Sequence, residues 1–185
     1  YQVTGGGRIF FDDCLEAQES CLSWNVEMIA EAAKGSVLKK RCSRCGCFGS
    51  ISTDTRTIRK NDVFVALKGE NFDGHQFIGS AVESGAGCIV VSDPGDYRDL
   101  DSDVIAVEDT LQALGDLARW RRKVLAEISG PVVVGITGSC GKTTVKEMTG
   151  AIFSRHWPEM KTEPSGRVLK TDGNFNNLIG LPLSL

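Results

Sequence analysis

The stretch that decides the fold of this chain reads VVVGITGSCGKTTVKEM and spans residues 132–148. It opens with three β-branched valines, which are typical of a buried strand. Glycines at positions 138 and 141 follow, and they allow a tight turn whose backbone can approach a ligand closely. A helical pattern begins after the second glycine. The stretch therefore predicts a strand, a glycine-rich loop and a helix in direct succession.

The predicted loop carries groups that suit a phosphate. The N–H groups of such a loop and of the helix start point inward, toward phosphate oxygens. Lys142 adds a positive charge for the β- and γ-phosphates, and the Thr143 hydroxyl is placed to hold Mg²⁺. The residues predicted to bind the nucleotide in this loop are Gly138, Ser139, Cys140, Gly141, Lys142, Thr143 and Thr144.

The spacing of the loop departs from the common phosphate-loop pattern G-x-x-x-x-G-K-[ST]. That pattern places a glycine where this chain has Ile136, so the loop here is shorter. A glycine-rich strand-to-helix turn with an incidental lysine is the alternative. Because lysine and threonine come immediately after Gly141, phosphate binding is the favoured interpretation.

The composition excludes several classes of partner. Hydrophobic residues make up 41% of the 185 residues and charged residues 24%, which is ordinary for a globular protein. The net charge is −3, and no run of Lys or Arg suggests a surface for a polyanion, which argues against a nucleic-acid partner. No apolar stretch approaches the roughly 20 residues that a membrane helix needs. We therefore expect neither nucleic acid nor a membrane as a partner.

The seven cysteines are irregularly spaced. Cys88 lies in an apolar run and Cys140 in the glycine-rich loop, so neither fits a disulfide framework, and a reducing compartment is the better interpretation. Cys42, Cys45 and Cys47 have the close spacing of metal ligands, but a second half with such spacing is missing. A cysteine-rich surface loop and a zinc site therefore both remain open, with the surface loop favoured.

Upstream of the loop, strand and helix patterns alternate. The periodicity of apolar residues predicts strands at 49–56, 63–67, 88–91 and 104–107, and helices at 23–33, 76–84 and 111–128. Asp109 or Thr110 is expected to cap the last of these helices, and Ser23 the first. A Ser-Gly-Pro sequence at 129–131 then marks a domain boundary.

Downstream of the loop, the pattern predicts a helix at 143–155, a strand at 168–171 and then an asparagine-rich segment, DGNFNNLIGLPL, at 172–183. Asparagine favours turns, so a purely structural turn is one interpretation of this segment. The other is a ligand site, because side chains that follow neighbouring parallel strands meet at one edge of the sheet.

Taken together, these motifs resemble the Mur ligase family. The sequence TGSCGKTTVKEM at 137–148, followed by GNFNNLIGLP at 173–182, resembles the ATP-binding domain. TDTRTI at 53–58, DVFVALKG at 62–69 and FDGH at 72–75 resemble the N-terminal substrate domain. The loop alone fits all Mur ligases and their folylpolyglutamate synthase relatives. The segments 145–148 and 173–177 narrow the resemblance to the members that add D-alanyl-D-alanine.

The resemblance implies an ATP-dependent amide ligase. A carboxylate of UDP-N-acetylmuramoyl-tripeptide attacks the γ-phosphate of ATP, giving an acyl phosphate and ADP. The amine of D-Ala-D-Ala then displaces phosphate and forms an amide. ATP and Mg²⁺ are the implied cofactors, and the implied setting is a monomer in the bacterial cytoplasm or a plastid stroma. In this scheme Lys142 is catalytic, Asn174 and Asn177 lie on the nucleotide side, and Thr55, Arg56 and His75 contact the UDP substrate. A histidine bonded only to its own loop is the alternative for His75.

The fold class expected from the sequence is α/β, with three parts. Residues 1–48 form an N-terminal segment with a Cys-rich insertion, 49–129 a small UDP-substrate-binding domain, and 130–185 the beginning of a P-loop, parallel-sheet ATP-binding domain. Two strands and a helix cannot bury such a sheet, so we expect the third part to be truncated. A non-catalytic module that binds a UDP sugar or nucleotide is therefore the alternative to a ligase, and this chain alone is not expected to ligate.

Overall fold

A computed structural model of the chain describes residues 23–41, 46–69, 72–93, 95–156, 168–171 and 177–184. The helices are α1 (Val26–Ala32), α2 (Ile78–Glu83), α3 (Thr110–Ser129), α4 (Lys142–His156) and α5 (Gly180–Leu183). The strands are β1 (Ser36–Lys39), β2 (Ile51–Ser52), β3 (Val63–Val65), β4 (Cys88–Val91) and β5 (Asp103–Ala106). Asn174, Cys42 and Cys45, which the sequence singled out, lie outside the described residues.

The five strands form one mixed sheet in the order β1-β5-β4-β3-β2. Strands β2 to β5 run parallel to one another, and β1 pairs antiparallel with β5. The register places Phe64 beside Ile89 and Ile89 beside Val104. Because parallel strands end at the same edge, the segments that follow β2, β3 and β4 meet there. The expected α/β fold is confirmed.

Both faces of the sheet are covered, as expected for parallel strands. On one face, alternate strand residues such as Val65 and Val90 pack with α1 and with Leu114 and Leu117 of α3. On the other, Phe64 and Ile89 belong to a cluster that α2 completes through Ile78 and Ala81, among others. The alternation follows from the two-residue period of a strand. The sheet is therefore buried between helices.

Helix α3 matches the prediction for 111–128 closely, but its expected apolar face is only partly buried. Leu114 and Leu117 are buried, whereas Leu125 is half-buried and Ile128 is 60% exposed, because the helix runs past the sheet. Gly130 ends it in the left-handed conformation, with a φ of 56° that suits glycine. Among the described helices, none combines the length and apolar character of a membrane span.

The strand predicted at Val132–Val134 is wrong. In the structure this segment forms no strand, and Val132 is 84% exposed. A β-branched run becomes a buried strand only where a neighbouring strand pairs with it, and none of the described residues does so. The strand predicted at 168–171 is wrong for the same reason, and its Leu169 is also largely exposed.

The sequence pattern missed β1, which the prediction left between a helix and a Cys-rich loop. Its side chains are mostly exposed, so the strand lacks the apolar alternation that reveals buried strands. The chain is instead marked by a close approach of two backbones. A Cβ added to Gly35, the residue before β1, would lie only 2.6 Å from the carbonyl oxygen of Ala106 in β5. The cap of α1 also differs from the prediction, since Asn25 rather than Ser23 accepts the Met28 N–H, at 2.7 Å.

Replacing Asp109 with alanine should destabilise the fold by about 1 kcal/mol. The Asp109 carboxylate accepts hydrogen bonds from the N–H groups of Leu111 (2.7 Å) and Gln112 (3.0 Å) and so caps α3. Urea denaturation of the variant measures the loss. Glu108→Ala at the preceding exposed position is the matched control and should leave the unfolding free energy unchanged. Equal losses in both variants would show that the cap is not responsible.

Candidate functional site

The glycine-rich loop leads directly into α4, which begins at Lys142. Gly138 and Gly141 both have positive φ values, of 155° and 76°, so the loop uses glycine where side chains are disfavoured. The Val145 N–H donates to the Gly141 carbonyl at 2.9 Å and closes the first turn of the helix. The predicted loop-to-helix transition is therefore present, although no strand precedes it.

Lys142 lies over this loop and not away from it. Its ammonium donates a hydrogen bond to the carbonyl oxygen of Gly138 at 2.6 Å. The N–H groups of Thr143 and Thr144 belong to the first turn of α4, where a helix leaves its donors without intrahelical partners. These donors, the ammonium and the positive end of the helix dipole are the chemistry that attracts a phosphate.

Thr143 suits a metal only together with a nucleotide. Its hydroxyl is a hard oxygen donor on an exposed residue, the kind of ligand that Mg²⁺ takes beside phosphate oxygens and water. In the described ranges, no three His, Cys, Asp or Glu side chains group to hold a metal ion. The donor chemistry of Thr143 therefore fits Mg²⁺ as one ligand of several. Of the three cysteines in the zinc hypothesis, only Cys47 is among the described residues, and it is exposed.

Thr55 and Arg56 lie in a short 3-10 helix, Thr55–Thr57, which directly follows β2. Asp54 caps this helix and also pairs with the guanidinium, with 2.6 Å between Arg56 Nη2 and Asp54 Oδ2. The Arg56 side chain is 86% exposed, and its Nε and Nη2 groups both donate to the Asp54 carboxylate. The pair thus holds a guanidinium in place at the carboxyl edge of the sheet.

His75 is held by its own surroundings. It lies in a second 3-10 helix, Gly74–Phe77, which follows β3. Its Nδ1 is 2.6 Å from Asp73 Oδ1, and its Nε2 accepts the Ser92 N–H at 3.0 Å. The side chain is only 9% exposed. Both ring nitrogens are therefore engaged within the protein, and the geometry favours the interpretation of a histidine that organises its loop.

A cleft of about 540 Å³ brings together two of the regions that the sequence singled out. One wall is the segment after β2, with Thr53, Asp54 and Thr57, and the other is the end of the asparagine-rich segment, with Asn177 and Gly180. The Asn177 side chain accepts the N–H groups of Ile179 (3.1 Å) and Gly180 (2.6 Å), so it also shapes the turn before α5.

The cleft lining differs from the predicted set of site residues. Neither Lys142, Thr55 nor Arg56 lines it, whereas the neighbours Thr53 and Thr57 do. Sequence reasoning missed these two threonines. The available signal was their position directly after a strand, at the edge where parallel sheets bind ligands.

Removing the guanidinium of Arg56 should raise the pKa of Asp54. The side-chain hydrogen bonds from Arg56, and then its backbone N–H, lower this pKa from an ordinary 3.8 to about 2. A lowered pKa means that the pair is formed above the ordinary value and is lost as the pH falls toward 2. In Arg56→Gln the backbone bond remains, so the pKa should return part of the way, as measured by an NMR titration of the carboxyl carbon.

Asp96 and Arg98 offer a matched control for this titration. Their side chains form an equivalent pair two residues apart, with 2.7 Å between Arg98 Nη2 and Asp96 Oδ2. Arg98→Gln should therefore leave the pKa of Asp54 unchanged. A titration of Asp54 that is the same in Arg56→Gln and in the unmodified chain would contradict the assignment.

Comparison with known protein families assigns the chain. The model for the "Mur ligase family, catalytic domain" matches residues 48–122, and the model for the "Mur ligase middle domain" matches residues 136–185. The chain belongs to the Mur ligase family. Within it, the curated relatives and the solved structures described next are D-alanyl-D-alanine-adding ligases.

Two curated relatives illustrate this Mur ligase relationship, and both are named UDP-N-acetylmuramoyl-tripeptide–D-alanyl-D-alanine ligase. The Haemophilus influenzae protein is 45% identical over 135 residues, which cover 73% of this chain and 27% of the relative. The Bacillus subtilis protein is 39% identical over 160 residues, which cover 86% of this chain and 32% of the relative. This Mur ligase chain thus spans between a quarter and a third of their length.

Solved structures give the same family assignment for this Mur ligase chain. A crystal structure of MurF from Acinetobacter baumannii matches with a TM-score of 0.73 and 35% identity, over 88% of this chain and 32% of that one. MurF from Thermotoga maritima, solved in complex with ADP, matches with a TM-score of 0.56 and 36% identity, over 73% of this chain and 28% of that one.

Proposed function

We propose that this chain belongs to an ATP-dependent amide ligase of peptidoglycan precursor synthesis, which joins D-Ala-D-Ala to UDP-N-acetylmuramoyl-tripeptide. The observation that carries the proposal is the cleft between the segment after β2 and Asn177. In the resemblance, the first wall belongs to the UDP-substrate side and the second to the nucleotide side. The names of the relatives and the ADP complex of the Thermotoga protein support the same assignment.

In this proposal the loop binds the triphosphate of ATP. The ammonium of Lys142 moves from the Gly138 carbonyl to the β- and γ-phosphate oxygens, where it neutralises charge that develops during phosphoryl transfer. Gly138, Ser139, Cys140, Gly141, Thr143 and Thr144 complete the nucleotide site. Mg²⁺, with Thr143 among its ligands, supplies further charge neutralisation when it is bound.

The UDP substrate lies at the carboxyl edge of the sheet. Arg56, exposed but fixed by Asp54, offers its guanidinium to the pyrophosphate, and Thr55 offers a hydroxyl to the sugar. His75 contributes by holding the loop after β3 against Ser92. Asn177 contacts the nucleotide from the opposite side, and the resemblance also assigns Asn174 to the nucleotide. The substrate carboxylate would then meet the γ-phosphate in the cleft between the two sides.

The proposal includes a division of the chain. Residues 49–129 bind the UDP substrate, with 1–48 as an N-terminal segment, and residues 130–185 begin the ATP-binding domain. Helix α3 is the last element of the first unit, and its left-handed end at Gly130 is the proposed boundary. A monomer in the bacterial cytoplasm, or in a plastid stroma, is the setting that the proposal assigns.

Calorimetric titrations of the chain test the binding part of this proposal. UDP-N-acetylmuramoyl-tripeptide and ATP with Mg²⁺ should each bind at a single site. UDP-glucose is the control for the substrate, because it carries the uridine diphosphate without the muramoyl peptide, and it should bind more weakly. If neither the UDP-muramoyl peptide nor ATP binds, the proposal is wrong.

A non-catalytic module that binds a UDP sugar or nucleotide is the second candidate, because the cleft that carries the proposal requires only binding. Product formation tests whether this chain is catalytic by itself. When the chain is incubated with ATP, Mg²⁺, UDP-muramoyl tripeptide and D-Ala-D-Ala, we expect binding without amide formation. Mass spectrometric detection of the pentapeptide product, at a rate near that of a full-length ligase, would show that the chain itself ligates.

A further inference from the structure

Lys146 joins α4 to the segment 168–171. Its ammonium donates a hydrogen bond to the carbonyl oxygen of Thr171 at 2.6 Å. The side chain is only 15% exposed, unusually low for a lysine, so its charge is largely withdrawn from water. A bond of this kind is stronger than one between neutral groups, because the donor is charged and partly desolvated.

Neighbouring residues reinforce this contact. Glu147 lies beside Lys146, with 3.3 Å between their charged atoms, and it also forms a close ion pair with Lys170. The stem of Lys170 packs over Gly150, where an added Cβ would lie 3.3 Å from the lysine Cδ. Gly150 is also the one buried residue among those described in α4. The contact is therefore a packed junction between α4 and the segment 168–171.

The junction links the two parts of the proposed nucleotide site. Lys146 lies one helical turn after Lys142, and Thr171 comes a few residues before Asn177 along the chain. Asn177 comes six positions after Thr171, so fixing Thr171 to α4 keeps Asn177 within about 20 Å of that contact, the reach of the extended chain. We infer that Lys146 is a positioning residue, which keeps Asn177 within the distance from the phosphate loop that nucleotide binding requires. This inference rests on the proposed function.

Three variants of the chain test this role. Lys146→Met keeps the length of the side chain but removes the ammonium, and it should weaken ATP binding about tenfold in calorimetry. Lys146→Arg restores a charged donor and should remain within about threefold of the unmodified chain. Arg155→Met removes an exposed charge from the same helix and should have no effect. Affinity for the UDP-muramoyl peptide should be unchanged in all three, which excludes general unfolding.

Trypsin cleavage after Lys170 provides a second measurement that needs no nucleotide. Loss of the Thr171 contact should free this segment, so Lys146→Met should be cleaved there faster than the unmodified chain and Arg155→Met. Unchanged ATP affinity in Lys146→Met, in a chain that does bind ATP, would overturn the positioning role. Unchanged cleavage would overturn the junction itself. An unmodified chain that fails to bind ATP would instead contradict the proposed function, and cleavage would still decide whether the junction exists.

Discussion

Lys142→Met should weaken ATP binding by about 10- to 100-fold, as measured by calorimetry in the presence of Mg²⁺. A hydrogen bond that involves a charged group contributes about 1.5–3 kcal/mol, and this ammonium would meet two phosphates. The variant also loses the bond to the Gly138 carbonyl, which exists without nucleotide. The net loss of ATP affinity is therefore smaller than the phosphate contacts alone would give, because the unmodified lysine must first break its bond to the Gly138 carbonyl.

The control for this experiment is Lys123→Met, which removes an equal charge from an exposed position on α3. It should leave ATP affinity unchanged, so a general effect of net charge is separated from a specific one. The affinity of Lys142→Met for the UDP-muramoyl peptide should also be preserved. A change in ATP affinity below about threefold would mean that the loop does not bind the triphosphate through Lys142.

Phe64→Ala should destabilise the fold by about 3–5 kcal/mol, the loss typical of a large aromatic side chain removed from a core. Phe64 is fully buried on β3, in the cluster that includes Ile89 and Val104 of the neighbouring strands and Ile78 of α2. The truncation leaves a cavity between the sheet and α2 that rigid strands cannot close. Urea denaturation followed by circular dichroism measures the loss.

Val132→Ala is the matched control and also tests a finding about the fold. The sequence pattern assigns Val132 to a buried strand, whereas the structure leaves it 84% exposed. An exposed valine should cost less than about 0.5 kcal/mol on truncation. A loss comparable to that of Phe64→Ala would mean that Val132 is buried in solution, and would restore the strand that the sequence predicts.

Much of the α/β architecture was predictable because its strands are buried on both faces. Cys88–Val91 is continuously apolar, and the structure places β4 at those four residues. Strand β1 was not predictable by the same means, since its residues are mostly exposed and its partner is distant in sequence. Val132–Val134 shows the opposite failure. Its local pattern is that of a strand, but strand formation depends on a partner that a local pattern does not contain.

The candidate site was predictable to the level of its segments but not of its contacts. The residue types of the glycine-rich loop predicted Lys142 as a phosphate-binding residue. In the structure its ammonium donates to the Gly138 carbonyl of that loop. For His75 the sequence left two interpretations open, because spacing cannot show that Ser92, directly after the next strand, donates to its ring. Lys146 lies in the segment 145–148, which contributed only to the family resemblance. Its contact with Thr171 depends on how the chain folds back onto α4.

The two borders of the sheet have a consequence for self-association. An exposed strand border is a template on which a second molecule can add its own strand and start an aggregate. Here β2 contributes only two residues to one border. At the other, β1 covers β5 with a shift in register between Val37 and Lys39, which interrupts the regular ladder. The Lys39 ammonium also donates a hydrogen bond to the carbonyl oxygen of Arg98, at 2.6 Å. Both borders therefore offer a short or irregular ladder, which disfavours growth of the sheet from one molecule to the next.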